Sequence, residues 1–162
     1  MVDGHGTMCL RLSPIGLLMK LRIIVLDLDE GNRELVSSIA RIRGHEVLAF
    51  AEPYSCPLYS HSECDCPQDQ ACGDLMIIDT RMLKMTGLEF IRRQRDHGCK
   101  GALHNKLVLS TTAGKEEEIR FAKELGCKII KKPFKVKDIL DWIDECEKTI
   151  DPNRTLVEFS SG

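Results

Sequence analysis

The chain has 162 residues, 43% hydrophobic and 30% charged, with a formal net charge of -2. This suits one globular domain with short extensions and offers no general attraction for nucleic acid or an anionic membrane. No apolar run nears the roughly 20 residues of a membrane helix. Near the N-terminus, Lys20 and Arg22 interrupt the short apolar stretch, and no small-residue cleavage site follows, so the sequence predicts a cytoplasmic protein without a secretory signal.

The predicted elements alternate. The run LRIIVLDL, residues 21–28, is continuously apolar up to its acid, the pattern of a strand buried on both faces. A helix follows over 32–44, with Leu35, Val36, Ile39, Ala40 and Ile42 at helical spacing and Gly44 suited to its C-terminal cap. EVLAFA, residues 46–51, and DLMIID, residues 74–79, are the second and third strands. GLEFIRRQRDHG, residues 87–98, is a helix with Leu88, Ile91 and Phe90 inward. KLVLS, residues 106–110, is a fourth strand. The helix over 115–126 has Ile119, Ala122 and Leu125 on one stripe and acids in its first turn, where they suit the helix dipole. KIIK, residues 128–131, is the fifth strand. The last helix, 136–150, buries Val136, Ile139, Leu140, Ile143 and Cys146. Strands and helices in strict alternation with short connections imply one parallel sheet covered on both faces, an α/β domain over 21–150. Residues 1–20 read as an N-terminal extension and 151–162 as a C-terminal tail.

In an open parallel sheet, function gathers at the carboxyl ends of the strands. The first strand ends at Asp27, with Asp29 just beyond. The third ends at Asp79, the fourth at Ser110 followed by Thr111 and Thr112, and the fifth at Lys131, Lys132, Pro133 and Phe134. Two acids, a hydroxyl and a lysine thus converge on one rim. A carboxylate there can attack phosphorus, a second acid can help hold a divalent cation, and the lysine and hydroxyl can bind phosphoryl oxygens.

The pieces IIVLDLDEGNREL, LMIIDTRMLKMTGLEFI, LVLSTTA and IIKKPF stand in order over about 130 residues. Together they resemble the receiver domain of bacterial two-component response regulators. The resemblance implies a flavodoxin-like three-layer fold with a five-stranded parallel sheet. It implies that Asp79 accepts a phosphoryl group from a histidine kinase or phosphotransfer protein. Lys132, in a Lys-Pro pair often cis in the family, would contact the phosphoryl oxygens, and the strand-four hydroxyl would bond the phosphate. Spacing to Lys132 favours Ser110 for that hydroxyl, and spacing to Gly126 favours Thr111. Ser110 is preferred because the apolar run ends there. Magnesium would be held by Asp27, Asp79 and the backbone carbonyl of Arg81. The opening MKLRIIVLDLD resembles a receiver's start and makes Met19 a candidate initiator. The resemblance describes a phosphoacceptor signalling domain rather than an enzyme. The twelve residues after 150 leave no room for an output domain, so a single-domain regulator that acts by docking to a partner protein is expected.

This sequence also departs from the family pattern. Receivers carry two adjacent acids after strand one, and here the pair is Asp27 and Leu28. Leucine cannot ligate magnesium, and Asp29 replaces the lost acid only in part, so weakened binding is expected. Leu83 stands where proline is usual, and Ile129 where an aromatic switch is usual. Between strands two and three the family has a helix. Here residues 52–73 carry Pro53, Pro57 and Pro67, which oppose a continuous helix. The same stretch holds Cys56, Cys64, Cys66 and Cys72, a set able to ligate zinc or an iron–sulfur cluster or to form disulfides. Cys99, Cys127 and Cys146 read as packing residues. The alternative function is a receiver-derived module that senses metal or redox state without phosphate.

Overall fold

The computed structural model describes residues 19–61, 66, 68–101, 105–111 and 115–159. In chain order the elements are β1 (Arg22–Leu26), α1 (Glu30–Ile42), β2 (Glu46–Phe50), α2 (Pro57–Ser60), β3 (Leu75–Asp79), α3 (Gly87–Asp96), β4 (Lys106–Ser110), α4 (Glu116–Glu124), β5 (Lys128–Lys131) and α5 (Val136–Glu147). The five strands form one parallel sheet in the order β2-β1-β3-β4-β5. The winding direction reverses between β1 and β3, so a crevice opens beyond their carboxyl ends. That is where Asp27 and Asp79 stand.

Side chains alternate along each strand, and the two parities feed two cores. Ile23, Val25, Leu75, Ile77, Leu107 and Leu109 pack against Val36, Ile39 and Ala40 of α1 and Ile139, Trp142 and Ile143 of α5. Leu26, Met76, Ile78 and Val108 pack on the other face against Leu58, Tyr59, Leu88, Phe90, Ile91 and Ala122. Burial on both faces explains why β1, β3 and β4 read as unbroken apolar runs.

Helix faces depart from the sequence pattern at three places. Leu35 and Ile42 on α1 are exposed, and so is Val136 at the start of α5. The core stripe of α1 is narrower than its apolar content, because β1 and β2 meet only Val36, Ile39 and Ala40. Val136 is the first residue of its helix and precedes the turn that faces the sheet. The second helix is remodelled as its prolines suggest. Four residues remain, with Pro57 at the first turn, where its missing N–H costs nothing.

The segment read as a tail is folded at least to 159. Leu156 bridges Ala71, the Val157 amide donates to the Ala71 carbonyl at 2.9 Å, and Val157 is buried. Arg154 reaches Asp74, one residue before β3.

Candidate functional site: a carboxylate–lysine rim

Asp27 follows β1, and Asp79 is the last residue of β3. Pairing of Leu26 with Ile78 places the two carboxylates side by side. They are nearly buried, at 3% and 1% exposure. Lys132 lies just past β5, where its backbone N–H donates to the Ser110 carbonyl at 2.7 Å. Its Nζ donates to Asp27 Oδ2 at 2.8 Å and to Asp79 Oδ2. The Lys132–Pro133 peptide is cis.

Two carboxylates thus share one nearly buried ammonium, and the other cation within reach, the Arg81 guanidinium, lies largely in solvent. Burial pushes the Asp27 carboxyl above its ordinary range, and the Asp79 charge adds to this. The Lys132 hydrogen bond and the Asp29 amide, which donates to Asp27 Oδ1 at 2.9 Å, only partly oppose it. For Lys132, burial favours the neutral amine, but the hydrogen bonds to Asp27 and Asp79 outweigh it and its pKa is raised. At neutral pH the lysine is a fixed cation.

The loop after β3 supports Asp79 from the backbone. The Arg81 N–H donates to Asp79 Oδ1 at 2.5 Å, and its guanidinium, 64% exposed, lies 3.7 Å from the same oxygen. Thr86 starts α3 with a capping box shared with Glu89, which satisfies two N–H groups at the helix end. Gly87 comes next, and a Cβ there would overlap the Asp79 carbonyl oxygen. The close approach of α3 to the Asp79 backbone therefore requires glycine.

Ser110 ends β4 fully buried, with its hydroxyl donating to Glu118 Oε1 at 2.9 Å. Thr111 is exposed. Of the two hydroxyls weighed from spacing, Ser110 is the one fixed on the sheet beside Lys132. Thr112 lies outside the described residues.

A divalent cation here would find the Asp27 and Asp79 carboxylates side by side. Magnesium accepts one or two carboxylates completed by water, so these two groups fit it. Leu28 is 38% exposed and offers no donor. Asp29 is turned to another task, because its Oδ1 accepts the Asn32 N–H at 2.7 Å as the N-cap of α1. Among the described residues, no group of three or more His, Cys, Asp and Glu stands ready to hold a metal ion. Cys56, Cys66 and Cys72 are free and half-buried, and Cys64 lies outside the described residues. Burial pushes the Cys56 thiol to about 11 and raises the Cys72 thiol. Cys99 and Cys127 pack against the core on the α3 side, and Cys146 is part of the other core.

Three groups escaped the sequence reading. Arg33 donates from α1 to the Asp27 carbonyl at 2.8 Å. Glu118 takes the Ser110 hydroxyl. Glu52, just past β2, is a buried carboxylate that accepts from the Leu83 N–H and the Tyr59 hydroxyl. Glu52 carried the same signal as Asp79, an acid closing a strand, at the same end of the sheet.

No protein-family model matches the sequence, and no curated protein does. Solved structures match it by shape. The receiver domain of the Francisella response regulator 1452 is 15% identical, with a TM-score of 0.63, over 80% of this chain and 98% of that one. A response regulator receiver protein from Pseudomonas putida is 26% identical, with a TM-score of 0.61, over 78% of this chain and 97% of that one. The chemotaxis response regulator CheY4 of Vibrio cholerae is 24% identical, with a TM-score of 0.58, over 78% and 98%. The chain has the receiver-domain fold, carried by a divergent sequence. No helix among the described residues is long and apolar enough to cross a membrane.

Proposed function

We propose that the chain is a cytoplasmic receiver that takes a phosphoryl group on Asp79 from a histidine kinase or phosphotransfer protein. It then signals by docking to a partner protein. The observation that carries this reading is the shared Lys132 contact to Asp27 and Asp79, beside the Ser110 strand end. An Asp79 carboxylate oxygen attacks phosphorus as the bond from phosphorus to the donor imidazole breaks, and the imidazole leaves with that electron pair. Lys132 neutralises the phosphoryl oxygens. Ser110 leaves Glu118 to donate to one of them. Arg81, lying over Asp79, limits approach to the acceptor. Magnesium, held by Asp27, Asp79 and the Arg81 carbonyl, supplies further neutralisation of negative charge when bound, and the missing acid at Leu28 makes that binding weak.

The test is incubation with acetyl phosphate and magnesium followed by intact-mass measurement. The wild type should gain one phosphoryl group, and Asp79→Asn none. A wild type that gains no mass, or an Asp79→Asn variant that still does, overturns the assignment.

A further inference from the structure

Resting on the reading of Asp79 as phosphoacceptor, we infer that Glu52 is a positioning residue for it: the carboxylate clamps the β3–α3 loop to the remodelled α2 segment. Glu52 is 2% exposed, and no cation pairs with it at salt-bridge distance among the described residues. Its charge is met by hydrogen bonds instead. Oε1 accepts the Leu83 N–H and Oε2 accepts the Tyr59 hydroxyl. Burial alone would raise its pKa, but the hydrogen bonds from Tyr59, the Leu83 amide and Tyr54, with the Lys84 charge, outweigh that and hold it below its ordinary range.

Both partners are themselves held. Tyr59 stacks edge-on to Phe90 at 6.0 Å and to Tyr54 at 5.8 Å, and the Lys84 ammonium lies 5.3 Å from its ring centroid. The Lys84 N–H reaches the Tyr59 hydroxyl at 3.4 Å. Leu83 follows Arg81 by two residues, and Arg81 places its amide on Asp79 Oδ1. A buried carboxylate receives the Leu83 N–H. Glu52 therefore acts on the acceptor through the loop and does not touch the reacting atoms.

A clamp of this kind sets how well the loop is pre-placed for attack, so its loss should lower the rate constant more than the affinity for donor. The experiment follows phosphorylation by acetyl phosphate in the wild type, Glu52→Gln, Glu52→Ala and Tyr59→Phe, at donor concentrations spanning saturation. The Leu83 amide proton shift and thermal unfolding are recorded beside it. Glu52→Ala should lower the saturated rate constant by about tenfold with an unchanged half-saturating concentration. Glu52→Gln, which keeps one acceptor oxygen, should recover most of the rate. Tyr59→Phe should stay folded and lose about two- to threefold. The Leu83 amide should move upfield in Glu52→Ala and stay near its place in Glu52→Gln. Wild-type rates in folded Glu52→Ala, or a loss confined to half-saturation, would overturn this inference alone. If Glu52→Ala does not fold, an unchanged rate and Leu83 shift in Tyr59→Phe overturns it. No labelling of the wild type overturns the Asp79 reading and this inference with it.

Discussion

β3 runs between two buried carboxylates. Asp74 stands one residue before it and Asp79 closes it, and the side chains of both are 2% exposed. Asp74 is saturated. The Arg154 fork donates to Oδ1 and Oδ2 at 2.7 Å each, and the Arg22 N–H adds a third bond at 2.7 Å. Asp79 has half of a lysine that Asp27 also claims, one N–H from Arg81, and the largely exposed Arg81 guanidinium at 3.7 Å. One end of the strand spends its acid on closing the structure, because a planar guanidinium matches a carboxylate with little left over. The other end holds its acid with a shared point cation and a solvent-screened guanidinium, a looser grip that suits the phosphoryl acceptor proposed above. The same residue type, at the two ends of one strand, is gripped tightly or loosely by the geometry and burial of its partners.

The widest separation between the two ends is in phosphorylation. Asp79→Asn should remove it entirely with little change in stability, while Asp74→Asn should leave it intact. In unfolding, the order reverses. Asp74→Ala leaves the Arg154 guanidinium and the Arg22 N–H without their acceptor. Breaking a buried pair costs roughly 3–5 kcal/mol, and the partial exposure of Arg154 places this one at about 3 kcal/mol. Chemical denaturation of both variants measures the contrast, and equal losses would mean the two acids are not differently employed.

Gly87 tests how tightly the acceptor end is built. Gly87→Ala pushes a methyl group against the Asp79 carbonyl oxygen, with Ile78 Cγ1 at 3.2 Å on another side. The backbone of β3 or α3 must shift, at about 1–3 kcal/mol for such overpacking. Labelling should slow together with the loss of stability, since the displaced atoms carry the acceptor. Gly44, where no atom lies near a new Cβ, should when changed to Ala affect stability through its positive φ and leave labelling alone.

The two ends also differ in how far the sequence revealed them. The rim was legible because each of its residues ends an apolar run: Asp27, Asp79, Ser110 and Lys132 are punctuation on strands whose burial is visible in composition. The Arg154–Asp74 clasp left no such mark. Residues 151–159 have no helical or strand period, and their order comes from contacts with Ala71, Asp74 and Arg22, far off in the chain. Glu52 was legible in principle and was hidden by the proline-rich segment it opens. Leu35, Ile42 and Val136 have core-like spacing but are exposed, Val136 because it stands at the very start of its helix, and apolar spacing alone does not report which positions a helix buries.

A smaller effect is expected where the rim lacks an acid. Leu28→Asp adds a carboxylate beside Asp27 and should tighten magnesium on the order of tenfold, read by titration. It should also speed labelling. Unchanged affinity would show that the chain's own donors already satisfy the ion.

The smallest expected effect, and the sharpest test of that looser grip, is a gain in stability. The Asp27 carboxyl is pushed above its ordinary 3.8 by burial, with the Asp79 charge adding to it. Between 3.8 and its raised value, the native chain keeps a proton that the unfolded chain has released. Native stability from this group is therefore complete below that window and is lost as pH rises through it. Asp27→Asn removes the charge and keeps an oxygen for the Asp29 amide, so it should unfold at a higher temperature than the wild type at neutral pH. The gap should close as the pH falls below 3.8. Glu52 also titrates in acid, with its pKa lowered from 4.5, but both proteins carry it and its contribution cancels in the difference. Lys132, raised above 10.5, changes charge only at alkaline pH and leaves the window clear. Paired thermal melts across the acid and neutral range give the curve directly. An Asp27→Asn variant less stable at neutral pH would mean that the Lys132 contact outweighs burial, and that the rim is as fully paired as Asp74.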